Sequence, residues 1–369
     1  MNGCGSDGTG GACRGRSTGA RRHNGNVQQR LGRVTATDGT EIAYSSVGEG
    51  RPVVYVSGWL SHLELSWALP EERAFYESIA DGCRLVRYDR AGCGLSPASG
   101  RPPSLEYELE QLSAVASTLG TDRFDVIGSS MGALVAAAWA AEHPESVRRL
   151  VLYGGWVSGP DIAEPDVRAH LLGLVESHWG LGSDVLTDIF APDAPAVMRR
   201  QVARYQRASS TAETARSLLA MSYDLDVGDQ LPRVEAKTLV LHRAEDRAAP
   251  VAQAEALAAG IRDAELRVVP GRSHLPFAGD VHSLVVPIRR HLGLRTLRRG
   301  PRALTPRQNE VAALVSEGCT NREIATRLGI DERSAEGHVE RIRMRLGFSS
   351  RAQIAAWYAA QGAAPSPPK

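Results

Sequence analysis

The chain has 369 residues, is 43% hydrophobic, and carries a formal net charge of +1, enough apolar material for a full core and a second domain. No apolar run approaches the length of a membrane span and no signal-peptide core follows Met1, so no membrane-spanning helix and no membrane partner are expected. Five scattered cysteines (Cys4, Cys13, Cys83, Cys93 and Cys319) form no CxxC pair and no metal-ligand spacing, so they read as reduced thiols of a cytoplasmic protein, with no metal and no cofactor expected.

The small net charge hides an uneven distribution. Residues 295–351 hold 12 Arg against 7 Asp or Glu, and residues 1–33 hold 6 Arg against 1 Asp. The stretch from Val34 to Leu294 is therefore acidic, with a balance of −10. An acidic body with a basic C-terminal module suits DNA binding confined to one end.

In chain order, residues 1–30 are rich in Gly, Ser, Arg and Asn with almost no apolar side chains, the composition of a disordered extension. From residue 31 to 294, short β-branched runs alternate with helical ones. Thr40 to Val47, polar and alternating, predicts an antiparallel edge strand. Val53–Val56, Leu85–Tyr88, Phe124–Ile127, Leu150–Tyr153, Leu239–Leu241 and Leu266–Val269 read as continuous apolar strands. Such strands separated by helices predict a doubly wound α/β body around a mostly parallel sheet, covered on both faces. Residues 157–232 turn helical and read as a cap inserted after the strand at Leu150–Tyr153.

The chemistry begins at Gly128-Ser129-Ser130-Met131-Gly132, between the strand ending at Ile127 and a helix carrying Leu134, Val135, Ala138 and Trp139. That strand–turn–helix context is what a nucleophile elbow requires: the glycines let backbone pass close beneath the turn while the Ser130 hydroxyl is presented. Asp246 follows the strand at Leu239–Leu241, with Glu245 beside it as a weaker candidate acid, and His274 follows the strand at Leu266–Val269. Over about 260 residues the body resembles the α/β-hydrolase superfamily, including its DxRGxGxS loop at Asp89 to Ser96 with Ala91 in place of one glycine. The resemblance implies Ser130 as nucleophile, His274 as its general base, Asp246 orienting the imidazole, and an oxyanion hole from the N–H groups of Trp59 and Met131. Relatives usually have His-Gly where this chain has Ser57-Gly58 before Trp59. Trp59, Trp67, Trp156 and Trp179 are candidates to line an apolar pocket.

A bridge at residues 295–302, rich in Arg, Gly and Pro, leads to a small all-α segment at 303–362, followed by a tail at 363–369 read as disordered. Thr305 can cap a first helix with Pro306 in its first turn, and Val311, Leu314 and Val315 give it one apolar face. Gly318 ends it. Asn321 is placed as the cap of a second helix from Arg322 to Leu328 that buries Ile324, Ala325 and Leu328. Gly329 supplies the turn. Asp331 caps a third helix reaching about Leu346, with an inner stripe of Ala335, Val339, Ile342 and Leu346. Two short helices joined by a glycine turn, the second with a polar outer face, fit a major groove.

This segment, from Leu304-Thr305-Pro306-Arg307 through Thr320-Asn321-Arg322-Glu323-Ile324-Ala325 to Arg345-Leu346-Gly347, resembles the LuxR-type helix-turn-helix of bacterial transcription regulators. The resemblance implies double-stranded DNA as partner and a homodimer on it, with Thr320, Asn321, Arg322, Arg333, Ser334, Glu336, Gly337, Glu340, Arg341 and Arg343 as contact candidates. The family commonly has Lys where this chain has Glu336; a carboxylate there can accept from cytosine N4 but repels phosphate. Two functions remain open: a transcriptional regulator whose hydrolase-like body senses or hydrolyses a small-molecule ligand or substrate, and an active serine esterase with an appended DNA-binding tail.

Overall fold

The computed structural model describes residues 28–295, 304, 306–346, 348 and 350–362. The expected extension up to residue 27, most of the bridge, the cap at Thr305 and the expected disordered tail lie outside those residues.

In chain order the body runs β1 (Arg30–Thr35), β2 (Glu41–Val47), β3 (Pro52–Val56), α1 (Leu63–Ala68), α2 (Pro70–Ala80), β4 (Arg84–Tyr88), α3 (Leu105–Ser117), β5 (Phe124–Ser129), α4 (Met131–Glu142) and β6 (Val147–Tyr153). Cap helices α5 (Pro165–Ser177), α6 (Trp179–Phe190), α7 (Ala196–Ser209) and α8 (Ala212–Asp224) follow, then β7 (Lys237–Arg243), α9 (Val251–Gly260), β8 (Ala264–Val269) and α10 (His282–His291). The eight strands form one sheet in the order β1-β2-β4-β3-β5-β6-β7-β8, with β2 antiparallel to both its neighbours and every pairing from β4 onward parallel. The antiparallel strand expected at Thr40–Val47 is therefore present, but it is not the edge. It is covered by β1, whose half-exposed, arginine-bearing sequence carries too weak an alternation to be read as a strand. Arg30 opens β1, so the predicted extension ends at least one residue earlier than expected.

Burial explains the layering. β3 and β5 are buried along their whole length, as strands covered on both faces must be. On one side α2 and α10 supply Phe75, Tyr76, Ile79, Leu284, Val285 and Ile288. On the other lie α3, α9 and α4, which is buried from Met131 to Ala141 and packs on β5 and β6 through small alanine side chains. The chain leaves β3 towards β4 on one side and returns with β5 on the other, so strand order reverses between β3 and β5. In open α/β sheets that reversal leaves a crevice at the carboxyl ends of the strands, the usual place for a ligand.

The C-terminal segment has its own apolar cluster, built on Val311, Ala312, Val315, Ile324, Ala335, Ile342 and Ile354. Its helices are α11 (Pro306–Ser316), α12 (Asn321–Leu328), α13 (Glu332–Leu346) and α14 (Arg351–Gly362). The cap of α12 is Thr320, not Asn321: its hydroxyl accepts from Glu323 N while Glu323 returns a bond to the Thr320 N–H, a closed capping box. Asn321 is the first residue inside the helix, and its side-chain oxygen accepts from Arg351 at 2.7 Å. Gly329 ends α12 at φ +62°, a left-handed conformation that glycine takes at no steric cost. Asp331 caps α13 as expected, accepting from the N–H and hydroxyl of Ser334 at 2.8 and 2.6 Å.

Candidate active site and DNA-reading face

Ser130 stands between β5 and α4 with φ +58° and ψ −131°, the one non-glycine residue with positive φ among those described. Such a conformation is held only where its surroundings over-determine it. Here Ser130 N donates to Tyr153 O at 2.8 Å and Ala133 N donates to Ser130 O at 2.8 Å. The flanking glycines are required by contact: a Cβ on Gly128 would lie 2.4 Å from Gly132 O, and one on Gly132 would lie 2.3 Å from the carbonyl oxygens of Val56 and Ser57. A side chain at either position would push the turn out of the crevice.

Ser130, His274 and Asp246 are brought together. His274 Nε2 lies 2.7 Å from Ser130 Oγ, and His274 Nδ1 lies 2.7 Å from Asp246 Oδ2. With Nδ1–H donating to the carboxylate, Nε2 is free to accept from the serine hydroxyl. Burial works against charge on Asp246, yet the adjacent His274 ring, assisted by His242 and the Ala248 N–H, holds its carboxyl below the usual range. Glu245 is exposed on the same loop, which leaves Asp246 as the acid in contact.

The backbone N–H groups of Trp59 and Met131 have no protein acceptor among the described residues. The loop bearing Trp59 runs beside Ser130, where a Cβ on Gly58 would lie 3.3 Å from Ser130 Cβ. A buried arginine fixes that loop. Arg90 pairs with Glu108 at 3.1 Å and donates to Ser57 O at 3.1 Å and to Gly58 O. Because the peptide unit is planar and trans, drawing Gly58 O towards Arg90 turns the Trp59 N–H the opposite way.

Three further residues support this arrangement without a signal in the sequence. Arg90 lies in the Asp89–Ser96 loop, to which no part in the chemistry is assigned from the sequence. His242, fully buried on β7, sits 3.9 Å behind Asp246. Phe190, at the end of cap helix α6, accepts through its carbonyl from His274 N at 2.7 Å, Leu275 N at 3.3 Å and Ser273 Oγ at 3.1 Å. The cap thus holds the histidine loop directly. Its aromatic side chains reach the same place: the Trp59 ring meets Trp179 and Phe190 edge-on, at 6.0 and 6.4 Å between centroids. Trp156 is buried in the core, and Trp67 packs away from this group, with Arg87 over its ring. Of the four predicted pocket tryptophans, Trp59 and Trp179 meet beside the triad.

On α13, Arg333, Glu336, Gly337, Glu340 and Arg341 follow helical spacing along one face, opposite the buried stripe of Ala335, Val339 and Ile342. All but Gly337, which is half-buried, are exposed. Ser334 and Thr320 are occupied in caps and Asn321 in its bond to Arg351, while Arg343 pairs with Glu340 at 3.0 Å, which partly neutralises both. Arg322 is exposed at the start of α12. No described helix is long and apolar enough to cross a membrane.

Two family models match, the alpha/beta hydrolase family at residues 53–285 and the luxR family of bacterial regulatory proteins at residues 302–358. The body is similar to a non-heme haloperoxidase of Rhodococcus erythropolis, 26% identical over 65% of this chain and 92% of that protein. It is also similar to a 2-hydroxymuconate semialdehyde hydrolase of Pseudomonas putida, 32% identical over 50% of this chain and 68% of that protein. Among solved structures it resembles an esterase from Exiguobacterium antarcticum, with 21% identity, a TM-score of 0.63, and coverage of 71% of this chain and 98% of that one, a likeness of fold. The chain belongs to the alpha/beta hydrolase family and carries a luxR-family DNA-binding domain at its C-terminal end.

Proposed function

We propose that this protein is a DNA-binding transcriptional regulator whose hydrolase body, residues 31–294, captures and cleaves a small ester or amide. The observation that carries the reading is the unbroken chain from Ser130 through His274 to Asp246, two bonds of 2.7 Å, in one polypeptide with a luxR-family domain. A body that only bound its ligand has no use for a nucleophile poised in this way. Ser130 Oγ attacks the carbonyl carbon as His274 Nε2 takes its proton, and Asp246 stabilises the imidazolium. The Trp59 and Met131 N–H groups receive the oxyanion. His274 then protonates the leaving group, and water repeats the sequence to release the acid. A relative from Xenorhabdus hominickii is named a pyrrolizixenacetamide deacetylase, and its name supports an amide among the bonds considered.

The C-terminal domain, residues 303–362, binds duplex DNA as a homodimer in the cytoplasm, laying the outer face of α13 in the major groove. Arg322, Arg333 and Arg341 contact phosphate, and Glu336 reads a base edge. The test has two arms on the full chain. A fluorophosphonate probe labels Ser130 in the wild type and not in Ser130→Ala, as mass spectrometry of peptides reads out; absent or unchanged labelling removes the enzymatic half. Selection from random duplexes yields a preferred sequence, and Arg341→Ala weakens binding to every duplex while lowering the salt slope by about 0.9 per phosphate that it leaves without a cation. No affinity at low salt removes the regulatory half.

A further inference from the structure

Among the described residues, β8 is the last strand of the sheet, with no strand paired on its outer side. Its pairing with β7 runs from Thr238 opposite Ala264 to Arg243 opposite Val269, with Thr238 N donating to Asp263 O and Ala244 N donating to Val269 O. In a parallel ladder only alternate residues bond to a given neighbour. The odd-numbered residues of β8 therefore bond to β7, and the N–H and C=O groups of Ala264, Leu266 and Val268 point away from the sheet. Leu266 and Val268 also keep large apolar side chains 36% and 42% exposed, on the face that Ala264 shares with α9. On α9 the exposed Ala252, Ala256 and Ala259 lie opposite the buried Ala254 and Leu257, facing away from the sheet. An open edge with apolar side chains is a template for another strand.

We propose that a second copy of this chain docks here, its β8 pairing antiparallel with this one across a two-fold axis through Leu266. Two features select that register. Bonding requires outward-pointing residues to face one another, as they do when Ala264 meets the partner's Val268 and Leu266 meets the partner's Leu266. The same register sets Glu265 against the partner's Arg267, and Arg267 against the partner's Glu265. These are non-hydrogen-bonded pairs, where opposed Cβ atoms approach to about 4.5–5.5 Å. Centring the axis on Glu265 or Arg267 instead sets like charge on like charge, and moving it by half a residue opposes outward groups with inward ones. In the single chain Glu265 and Arg267 lie 3.5 Å apart with both side chains well exposed, so they are free to exchange that contact for two across the axis. The result is a continuous sheet through both bodies. This interface does not rest on the DNA-binding reading.

Sedimentation equilibrium of the full chain tests it. The wild type dimerises, and Glu265→Arg or Arg267→Glu alone weakens dimerisation roughly tenfold or more, since each reversal turns two symmetric attractions into repulsions. The double swap restores wild-type association, because the opposed pairs are again of opposite sign. Leu266→Pro abolishes it by a separate route: its missing N–H faces outward, so the bonds to β7 remain. A wild type that stays monomeric overturns the proposal. So do single reversals that leave the dimer constant unchanged, or a double swap that fails to restore it, in variants with unaltered thermal melts.

Discussion

At the scale of single residues, Asp246 keeps its charge by facing His274, and the imidazole keeps its tautomer by facing Asp246. Asp246→Asn preserves shape but lets the ring present Nδ1 as the acceptor and Nε2–H towards Ser130. Labelling of Ser130 by a fluorophosphonate is expected to slow by about 10³–10⁴-fold while the melting curve is unchanged. A variant that labels at the wild-type rate would show that the carboxylate is only a packing group. Glu72 titrates in a different way. It is buried beside Tyr76, and burial pushes its carboxyl up to about 7 against the opposing pull of the Tyr76 hydroxyl and Arg87. The unfolded chain loses that proton near the ordinary value for Glu, so between about pH 4.5 and 7 the folded state holds more protons than the unfolded state. Stability therefore falls as pH rises through this window and levels off above it. Glu72→Gln should remove a loss of roughly 3 kcal/mol, seen as a flatter dependence of denaturant midpoint on pH. An unchanged profile would place the titration elsewhere. Ser130, Asp246 and His274 were legible in the sequence because each sits at a fixed offset after a strand of recognisable composition. Arg90, His242 and Phe190 were not. Arg90 acts on backbone carbonyls, His242 on a charge, and Phe190 through its own carbonyl on the His274 loop, at positions brought near only by the closed fold.

At the scale of elements, the parallel strands and cap announced themselves through continuous apolar runs and a shift to helical spacing. β1 did not, because an edge strand with four of its six residues exposed has little apolar signal. The start of α12 was misread by one residue for a related reason: Thr320 and Asn321 are both good caps, and only the position of Glu323 three residues after Thr320 separates them. Thr320→Ala should cost about 0.5–2 kcal/mol of tail stability by leaving the N–H of Glu323 without its acceptor. Chemical denaturation followed through Trp357 can measure it. Asn321→Ala, which removes the bond to Arg351 but leaves the capping box, should not reproduce the loss of helix α12. Equal helix loss in both variants would contradict the assignment of the cap.

At the scale of the whole molecule, the sequence divides its charge between an acidic body and a basic C-terminal segment, and its chemistry in the same way. A hydrolase-family body and a DNA-binding domain in one chain serve regulation only if the state of one changes the affinity of the other, and that requires a ligand with different affinity for the two states. The cap is suited to report occupancy, since Phe190 holds the His274 loop by three hydrogen bonds and its ring stands against the same imidazole. The Phe190 ring also meets Trp59, whose loop runs beside Ser130. The most direct measurement is the affinity of the full chain for its selected duplex at fixed salt, before and after Ser130 is phosphonylated. Coupling of body and domain through Ser130 is expected to change that affinity about 5- to 150-fold, with no change in Ser130→Ala treated with the same probe. Equal affinity for the modified and unmodified protein would mean that the body and the DNA-binding domain work independently, and would contradict it.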